Sequence, residues 1–501
     1  MKKLTTDGQR IVNEDGAQVI LSGVNLVCKD KAKGYVEPCG EDLFTWFHEQ
    51  GFNVIRLGLI WDGVEPEPGV YDNEYLAKIK QQIIWAKQND LYVFLDMHQD
   101  LYSSRYGDGA PEWATFSDNL PHIVGQIWSD AYLESPALNR AMDHFWANAP
   151  ASDGIGLQDH YASMWKYAAQ FFADCTNIIG YDMMNEPYPG SSGQLVFGAI
   201  IDAYAKSVMG MTEVDMEQLS ALWFNEEDKQ EILKGMADMD IYRVLVDRAK
   251  DASQVFEREV LAPFFNKTAA AIRSVVPDGF LMLETSYFAN MAVESGLVLV
   301  QDDEGTVVHH QVYAPHGYDL VVDTEHYEIY NQDRVELIYA THRKVQERLN
   351  IPTLIGEWGA FTNHPATLEL SKALLAIFEG NLWSNTYWCW CDGFKESPYS
   401  VALKRAYPQA TGGLLVGYHY DYDTDIIKVD YVPSGGETLI YHPRAALLSK
   451  DVVLISGTGV DVYQIEVRPF QGSESGIIAI SAPQDETKIT VTIGNPSSKQ
   501  E

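Results

Sequence analysis

The chain has 501 residues, enough for one large domain of about 250 to 400 residues and a smaller module. Its 46% hydrophobic and 21% charged residues are those of an ordinary globular protein that folds without help from disulfides. Lysine and arginine number 36 against 71 aspartate and glutamate, and the net charge of −35 repels DNA, RNA and anionic lipid headgroups, so no nucleic-acid function is expected.

The start, Met1-Lys2-Lys3-Leu4-Thr5-Thr6-Asp7-Gly8, is basic like a signal peptide but has no apolar stretch behind it, and no segment approaches the ~20 apolar residues of a membrane span. The five cysteines are an odd count without metal-site spacing. Together these features lead to the expectation of a reducing, cytoplasmic location, with Cys389 and Cys391 sharing the core face of one strand.

Asp7-Gly8 and Asp15-Gly16 mark turns of a short hairpin expected to plug the bottom of a barrel. Eight apolar runs that read as buried strands follow, with helical stretches between most of them: Val19 to Val27, Phe52 to Trp61, Tyr92 to Asp100, Ile178 to Pro187, Gly279 to Ser286, His309 to His316, Pro352 to Ala360 and Asn385 to Gly393. Eight strands alternating with helices predict a (β/α)8 TIM barrel. Helical spacing is clearest in Asn73 to Asn89, Gln158 to Asp174, Asp251 to Val275, Val335 to Leu349 and Ala366 to Glu379; Ala289 to Val308 does not read as a helix. Two connections are too long for simple loops, about 101–157 and 188–248, and such insertions at the C-terminal face shape substrate sites. In the second, apolar residues recur at helical spacing in Ile201, Tyr204, Val208 and Met211, in Met216, Leu219 and Trp223, and in Ile232, Met236 and Met239. Past Tyr407, short alternating runs separated by Gly, Pro, Asp and Ser predict a small β-sandwich of about 90 residues, which divides the chain into a catalytic domain 1–406 and a C-terminal domain 407–501 with a frayed end, Asn495 to Glu501.

Two runs end in a glutamate followed within two residues by a strand-stopping one: Asp182-Met183-Met184-Asn185-Glu186-Pro187 and Leu354-Ile355-Gly356-Glu357-Trp358-Gly359. Strand ends at the C-terminal face of a barrel line one pocket, so Glu186 and Glu357 are expected to face each other there. Two carboxyls flanking a sugar bond are the equipment of glycoside hydrolysis, at about 5 to 5.5 Å apart for retention and ~6.5 to 9.5 Å for inversion. Asn185, beside the first glutamate, can hydrogen-bond a sugar 2-hydroxyl, and Arg56 beneath Glu357 would keep it ionised.

Other strand ends carry Arg56, then Asp96-Met97-His98-Gln99-Asp100, then Tyr313-Ala314-Pro315-His316-Gly317-Tyr318, then Trp388 and Trp390. Arg56, His98, Asn185, Glu186, His316, Tyr318, Glu357 and a Trp in this order resemble glycoside hydrolase family 5, a group of retaining barrel glycosidases. The blocks around Asp96, Tyr313 and Ile355, the junction Arg405-Ala406-Tyr407-Pro408-Gln409-Ala410 and Tyr441-His442-Pro443 look like its endoglycoceramidase-related branch. The resemblance implies Glu186 as acid/base and Glu357 as nucleophile, with Arg56, His98, Gln99, Asp100, Asn185, His316, Tyr318, Trp388, Trp390 and Lys29 as substrate-binding residues; Asp30 is a further candidate, and either Trp388 or Trp390 is the platform under the sugar. No metal or other cofactor is expected.

The expected substrate is a small-molecule glycoside or glycolipid: a β-glucosidic or short β-linked oligosaccharide bond to an apolar aglycone such as a glycosphingolipid or plant glycoside. The alternatives are a cellulase-like endo-β-1,4-glucanase, which needs an open groove where the insertions suggest a closed pocket, and an inactive carbohydrate-binding protein, against which both retained glutamates argue.

Overall fold

The computed structural model describes residues 1–125, 127–211, 225–322, 326–456, 463–485 and 487–494. All eight expected barrel strands form, in order, each shorter than its apolar run: Ser22–Leu26, Val54–Ile60, Tyr92–His98, Ile178–Asp182, Phe280–Leu283, Gln311–Tyr313, Leu354–Ile355 and Ser384–Tyr387. They make one parallel sheet, the eighth strand pairing with the first, and a parallel bridge between Tyr313 and Thr353 joins the sixth strand to the seventh and closes the barrel. Parallel strands need crossovers, which explains why their faces are both buried and their sequences nearly all apolar. Short strands His316–Gly317 and Glu357–Trp358 pair above this ring, with His316 opposite Glu357.

Asp72 accepts the N–H groups of Glu74 and Tyr75 to start the helix Asn73–Gln88, and Asn331 caps Gln332–Leu349 through the Arg334 N–H. Helix Leu157–Phe171 follows the third strand and Thr367–Asn381 the seventh. The fifth connection holds only a 3-10 segment, Tyr287–Met291, as its weak helical signal predicts. The helix expected to begin at Asp251 starts earlier, at Met239, and runs through a π segment Glu257–Leu261 into Ala262–Arg273. The second insertion therefore merges into a barrel helix instead of ending at Arg248.

The N-terminal hairpin covers the barrel floor, where Leu4, Ile11 and Val19 pack with Val54, Phe94, Phe280 and Val312. Its strands do more than plug. Leu4–Asp7, Arg10–Asn13 and Gln18–Val19 join Tyr407–Thr411, Glu437–His442, Gly476–Ser481 and Gln464–Pro469 in one seven-stranded antiparallel sheet, so this sheet is built from both ends of the chain and not from the last 90 residues alone. A second antiparallel sheet of four strands contains Gly413–Asp421, Ile426–Pro433, Ile489–Ile493 and Val453–Ser456. Leu415, Ile427 and Val491 of the second sheet share a buried core with Tyr407, Ile440 and Ile480 of the first. The hydroxyls of Tyr407 and Tyr441 donate to the carbonyls of Gly51 and Glu49 at 2.7 and 2.9 Å. Gly51 has φ +92°, and a Cβ there would lie 2.3 Å from the Tyr441 ring, so only glycine fits this junction. Residues 495–501 lie outside the described residues.

Candidate active site

The base of the site is a charge cluster around Arg56, which the second strand carries to the centre of the barrel with no exposed surface. Its guanidinium reaches four carboxylates: Glu357 Oε1 at 2.5 Å, Glu284 Oε1 at 2.7 Å, Asp96 Oδ1 at 2.9 Å and Asp182 Oδ2 at 3.0 Å. It also donates to Asn25 and Asn185. Charges this deep are tolerated only when paired and hydrogen-bonded. Burial raises the Glu284 carboxyl, but His316 and Arg56 outweigh it and hold it at about 2.

Glu186 follows the fourth strand in a left-handed backbone conformation, φ +41°, which a non-glycine residue keeps only when its surroundings hold it. Glu284 Oε2 accepts its N–H at 2.7 Å, and Gln99 Nε2 donates to the carbonyls of Asn185 and Glu186 at 2.8 and 3.2 Å. The carboxyl Oε1 accepts from Asn290 Nδ2 at 2.7 Å and contacts His316 Nδ1 at 2.8 Å. Burial pushes the Glu186 carboxyl up to about 7, His316 opposing and Glu357 and Asp100 reinforcing the shift. His316 moves the other way from what burial alone gives: Glu284 and Glu357 raise it well above its ordinary value, which favours its protonated form.

Glu357 sits opposite. Tyr318 Oη donates to its Oε2 at 2.8 Å, and His316 Nδ1 lies 3.4 Å from the same oxygen. One oxygen of Glu186, one of Glu357 and a ring nitrogen of His316 all lie within 4.8 Å of one another. The pair thus joins a carboxyl that is half protonated near neutral pH to one held by a guanidinium and a phenol.

Both glutamates open into a cavity of about 410 Å3. One corner is polar. Lys29 Nζ binds Asp100 and lies 4.5 Å above the Trp388 ring, and His98 stacks on the other side of this corner with its ring 5.0 Å from Trp388 and tilted by 12°. His98 Nδ1 is 2.8 Å from Asp96, and Asp96 raises the ring to about 10 despite burial. The rest of the wall is largely apolar and draws on both insertions, with Trp128 and Leu133 from the first and Phe197, Ile200, Leu233 and Met236 from the second, and on Phe288, Met291 and Leu320 from the connections after the fifth and sixth strands.

Lys29, His98, Asp100, Glu186, Tyr318, Glu357 and Trp388 therefore meet in one cavity. Arg56, Gln99, Asn185 and His316 lie beneath it, 5% exposed or less, and hold the residues that line it. Trp390 is elsewhere. Its ring packs against Trp46, Phe47 and Phe394, because the eighth strand stops at Tyr387 and the every-second-residue rule ends with it. For the same reason Cys389 and Cys391 are half-buried and exposed, not paired in a core face. Asp30 caps the 3-10 turn Lys31–Lys33 at the surface. Ile201 packs with Phe197 and Ala205 against Leu133, so the cavity face of helix Gly193–Ser207 is Phe197 and Ile200. Met239 packs on the barrel core, and Met216, Leu219 and Trp223 lie outside the described residues.

Glu284, Asn290, Asp96, Asp182 and Asp108 are not among the expected site residues. Glu284 carries the same signal as the two chosen glutamates, an apolar run Phe280-Leu281-Met282-Leu283 ending in a glutamate, but Thr285 after it is no strand stopper. Asn290 lies in an irregular connection and has no local pattern. Three groups, His98 with Asp100 and Asp108, Glu186 with His316 and Glu357, and Asp96 with Asp182 and Glu284, bring ligand-type atoms close enough for a metal; Lys29 and Arg56 already place cations against the first and third.

This constellation of strand-end carboxylates on a closed barrel coincides with a family match: the model of cellulase (glycosyl hydrolase family 5) covers residues 12–393. The chain belongs to glycoside hydrolase family 5. One curated relative resembles it along nearly its whole length and others along parts of it. Endoglycoceramidase I of Rhodococcus hoagii (strain 103S) is 25% identical over 99% of this chain and 89% of its own. Ergosteryl-beta-glucosidase of Saccharomyces cerevisiae (strain ATCC 204508 / S288c) is 39% identical, but over only 23% of this chain and 19% of its own. Among solved structures, endo-glycoceramidase II from Rhodococcus sp. in complex with ganglioside GM3 superposes with a TM-score of 0.74 at 23% identity, covering 97% of this chain and 99% of that one. The likeness of fold to that structure extends past residue 393 into the antiparallel sheets. Like these relatives, the chain is a glycoside hydrolase.

Proposed function

We propose that the protein is a retaining β-glycosidase that cleaves the bond between glucose, or a short glucose-linked oligosaccharide, and an apolar aglycone of the glycosphingolipid or steryl glucoside kind. The observation that carries this reading is the close Glu186–Glu357 pair opening directly into an apolar cavity walled by both insertions. An oxygen of each within 4.8 Å of the other supports the ~5 to 5.5 Å carboxyl separation of a retaining enzyme over the ~6.5 to 9.5 Å of an inverting one. Glu357 attacks the anomeric carbon while Glu186 protonates the departing oxygen; water, deprotonated by Glu186, then releases the sugar. The relatives support this: one solved structure of the Rhodococcus sp. enzyme is its lactosyl-enzyme intermediate. Asn185 spends one Nδ2 hydrogen on the Gln99 carbonyl, which leaves the other for the sugar 2-hydroxyl. Trp388, presented beside Lys29 and His98, is the sugar platform. The walled cavity disfavours an endoglucanase groove, and the tuned carboxyls disfavour an inactive binding protein.

We also read the two antiparallel sheets as a β-sandwich, with the catalytic unit ending near residue 406 and residues 407–501 forming the second domain, completed by the N-terminal strands. No helix among the described residues is long and apolar enough to cross a membrane. The five free thiols support a reducing, cytoplasmic setting.

A panel of p-nitrophenyl β-glycosides, glucosylceramide, lactosylceramide, steryl glucosides and carboxymethylcellulose tests the reading. Release of sugar from the lipid-like substrates is expected; activity on carboxymethylcellulose alone would favour the endoglucanase. The basic limb of kcat/KM should lie near pH 7, because Glu186 must be protonated to act and its carboxyl is pushed up to about 7. A limb above pH 9 would assign the proton to another group.

The aglycone wall gives a second expectation. Serine at both Ile200 and Met236 should lower kcat/KM for a steryl or ceramide glucoside by about 10- to 100-fold, from roughly 1 to 3 kcal/mol of lost apolar contact in total, while p-nitrophenyl glucoside changes little. Equal losses on both substrates would place these residues in the fold and not in aglycone recognition.

A further inference from the structure

The connection after the fifth strand reaches the site as an arm with one polar tip. Glu257, in the π segment and without exposed surface, clamps the arm at both ends: its carboxylate accepts the Ser286 N–H at 2.9 Å, the Ser295 hydroxyl at 2.7 Å and the Gly296 N–H. Tyr242 Oη holds the middle through the Met291 carbonyl at 2.7 Å. The tip is Asn290, 7% exposed and in the cavity wall. Its two ends reach the two glutamates. Nδ2 donates to Glu186 Oε1, and the backbone carbonyl accepts the Tyr318 N–H at 3.1 Å, whose hydroxyl in turn binds Glu357.

Glu186 Oε1 thus faces two groups, Asn290 and His316, on its inner side. An amide NH2 can only donate, so the oxygen it meets must be the accepting one. We propose that Asn290 is a positioning residue for the reaction: by keeping Oε1 occupied as an acceptor, it confines the transferable proton of Glu186 to Oε2 and aims it at the leaving group. This rests on the acid/base reading above. In the first step the Oε2–H bond breaks and the proton passes to the glycosidic oxygen, which also takes the electron pair of the breaking C1–O bond, while a Glu357 oxygen forms the new bond to C1. Without Asn290, His316 alone holds Oε1 as an acceptor, and the proton is less firmly confined to Oε2.

The test compares Asn290→Ala and Asn290→Asp with the wild type on aryl β-glucosides of graded leaving-group basicity, with pH profiles and thermal midpoints. Asp keeps the shape and the backbone link to Tyr318 but removes the donor. Both variants should lose about 10- to 100-fold in kcat/KM on phenyl glucoside, whose departure needs the proton, and less than about 10-fold on 2,4-dinitrophenyl glucoside, whose departure does not. The basic limb should move to higher pH, further for Asp, because a donor that favours the ionised carboxyl is gone and a like charge is added. Equal losses on both substrates, or a wild-type leaving-group slope in the Asp variant, would overturn the assignment. Failure of the wild type on 2,4-dinitrophenyl glucoside would instead sink the glycosidase reading itself.

Discussion

Glycine at position 357 should abolish hydrolysis, and azide should restore turnover of an activated β-glucoside to give the α-glycosyl azide. The reason is geometric. Glu357 is held at its place by Arg56 and Tyr318, so its removal empties the face of the sugar from which the glycosyl-enzyme forms, while Glu186 keeps its contacts with Asn290 and His316. The loss should be on the order of 10⁵-fold or more, the scale seen when a covalent nucleophile is removed. Azide entering that space attacks opposite the leaving group and inverts the anomeric centre once. Alanine at Glu186 should cost about 10²- to 10⁴-fold on a poor leaving group, and with 2,4-dinitrophenyl glucoside azide should now yield the β-azide, because the glycosyl-enzyme still forms and is attacked from the vacated acid/base side. Products in the opposite order would exchange the two roles. No azide product from either variant would remove the double-displacement mechanism.

What the sequence makes legible here follows the range of the interactions. Buried parallel strands must be apolar on both faces, and that is why all eight runs became strands in order while their ends shrank by a few residues. The two chosen glutamates were legible because Pro187 and Gly359 end the strands beside them. Glu284 lies at an equivalent strand end without such punctuation, and its importance comes from contacts with Arg56, Glu186 and His316, which no local pattern records. The pairing of Gln18–Val19 with Tyr407–Thr411 links segments nearly 400 residues apart, beyond any periodicity. In helix Gly193–Ser207 both Phe197–Ile200 and Ile201–Tyr204 are buried, so spacing alone offers two apolar faces and does not tell which of them reaches the cavity. Trp390 illustrates the converse: spacing is informative only while the strand continues.

Methionine at Arg56 should be the most damaging single change to the fold around the site. It leaves Asp96, Asp182, Glu284 and Glu357 buried without the guanidinium that each of them contacts. Breaking a buried ion pair by removing one partner costs about 3 to 5 kcal/mol, and here one partner serves four carboxylates. The sign of the pH dependence identifies the cause. In the wild type Glu284 is held at about 2, below its unfolded value, so it contributes stability above the usual carboxylate range near ~4.3 that is lost only as the pH falls towards 2. Without Arg56, Asp182, which burial and Glu284 already raise well above its ordinary value, rises further, and Glu284 loses one of the two cations that hold it down, so the folded state holds protons that the unfolded chain releases. Stability of the variant is therefore retained best at low pH and lost as the pH rises. Thermal midpoints should fall further behind the wild type at pH 8 than at pH 5. A deficit of equal size at both would mean that Arg56 acts through packing. Lysine at the same position restores one charge but not the planar fork that reaches Glu357, Glu284 and Asp182 at once, so it should recover part of the stability and little of the activity.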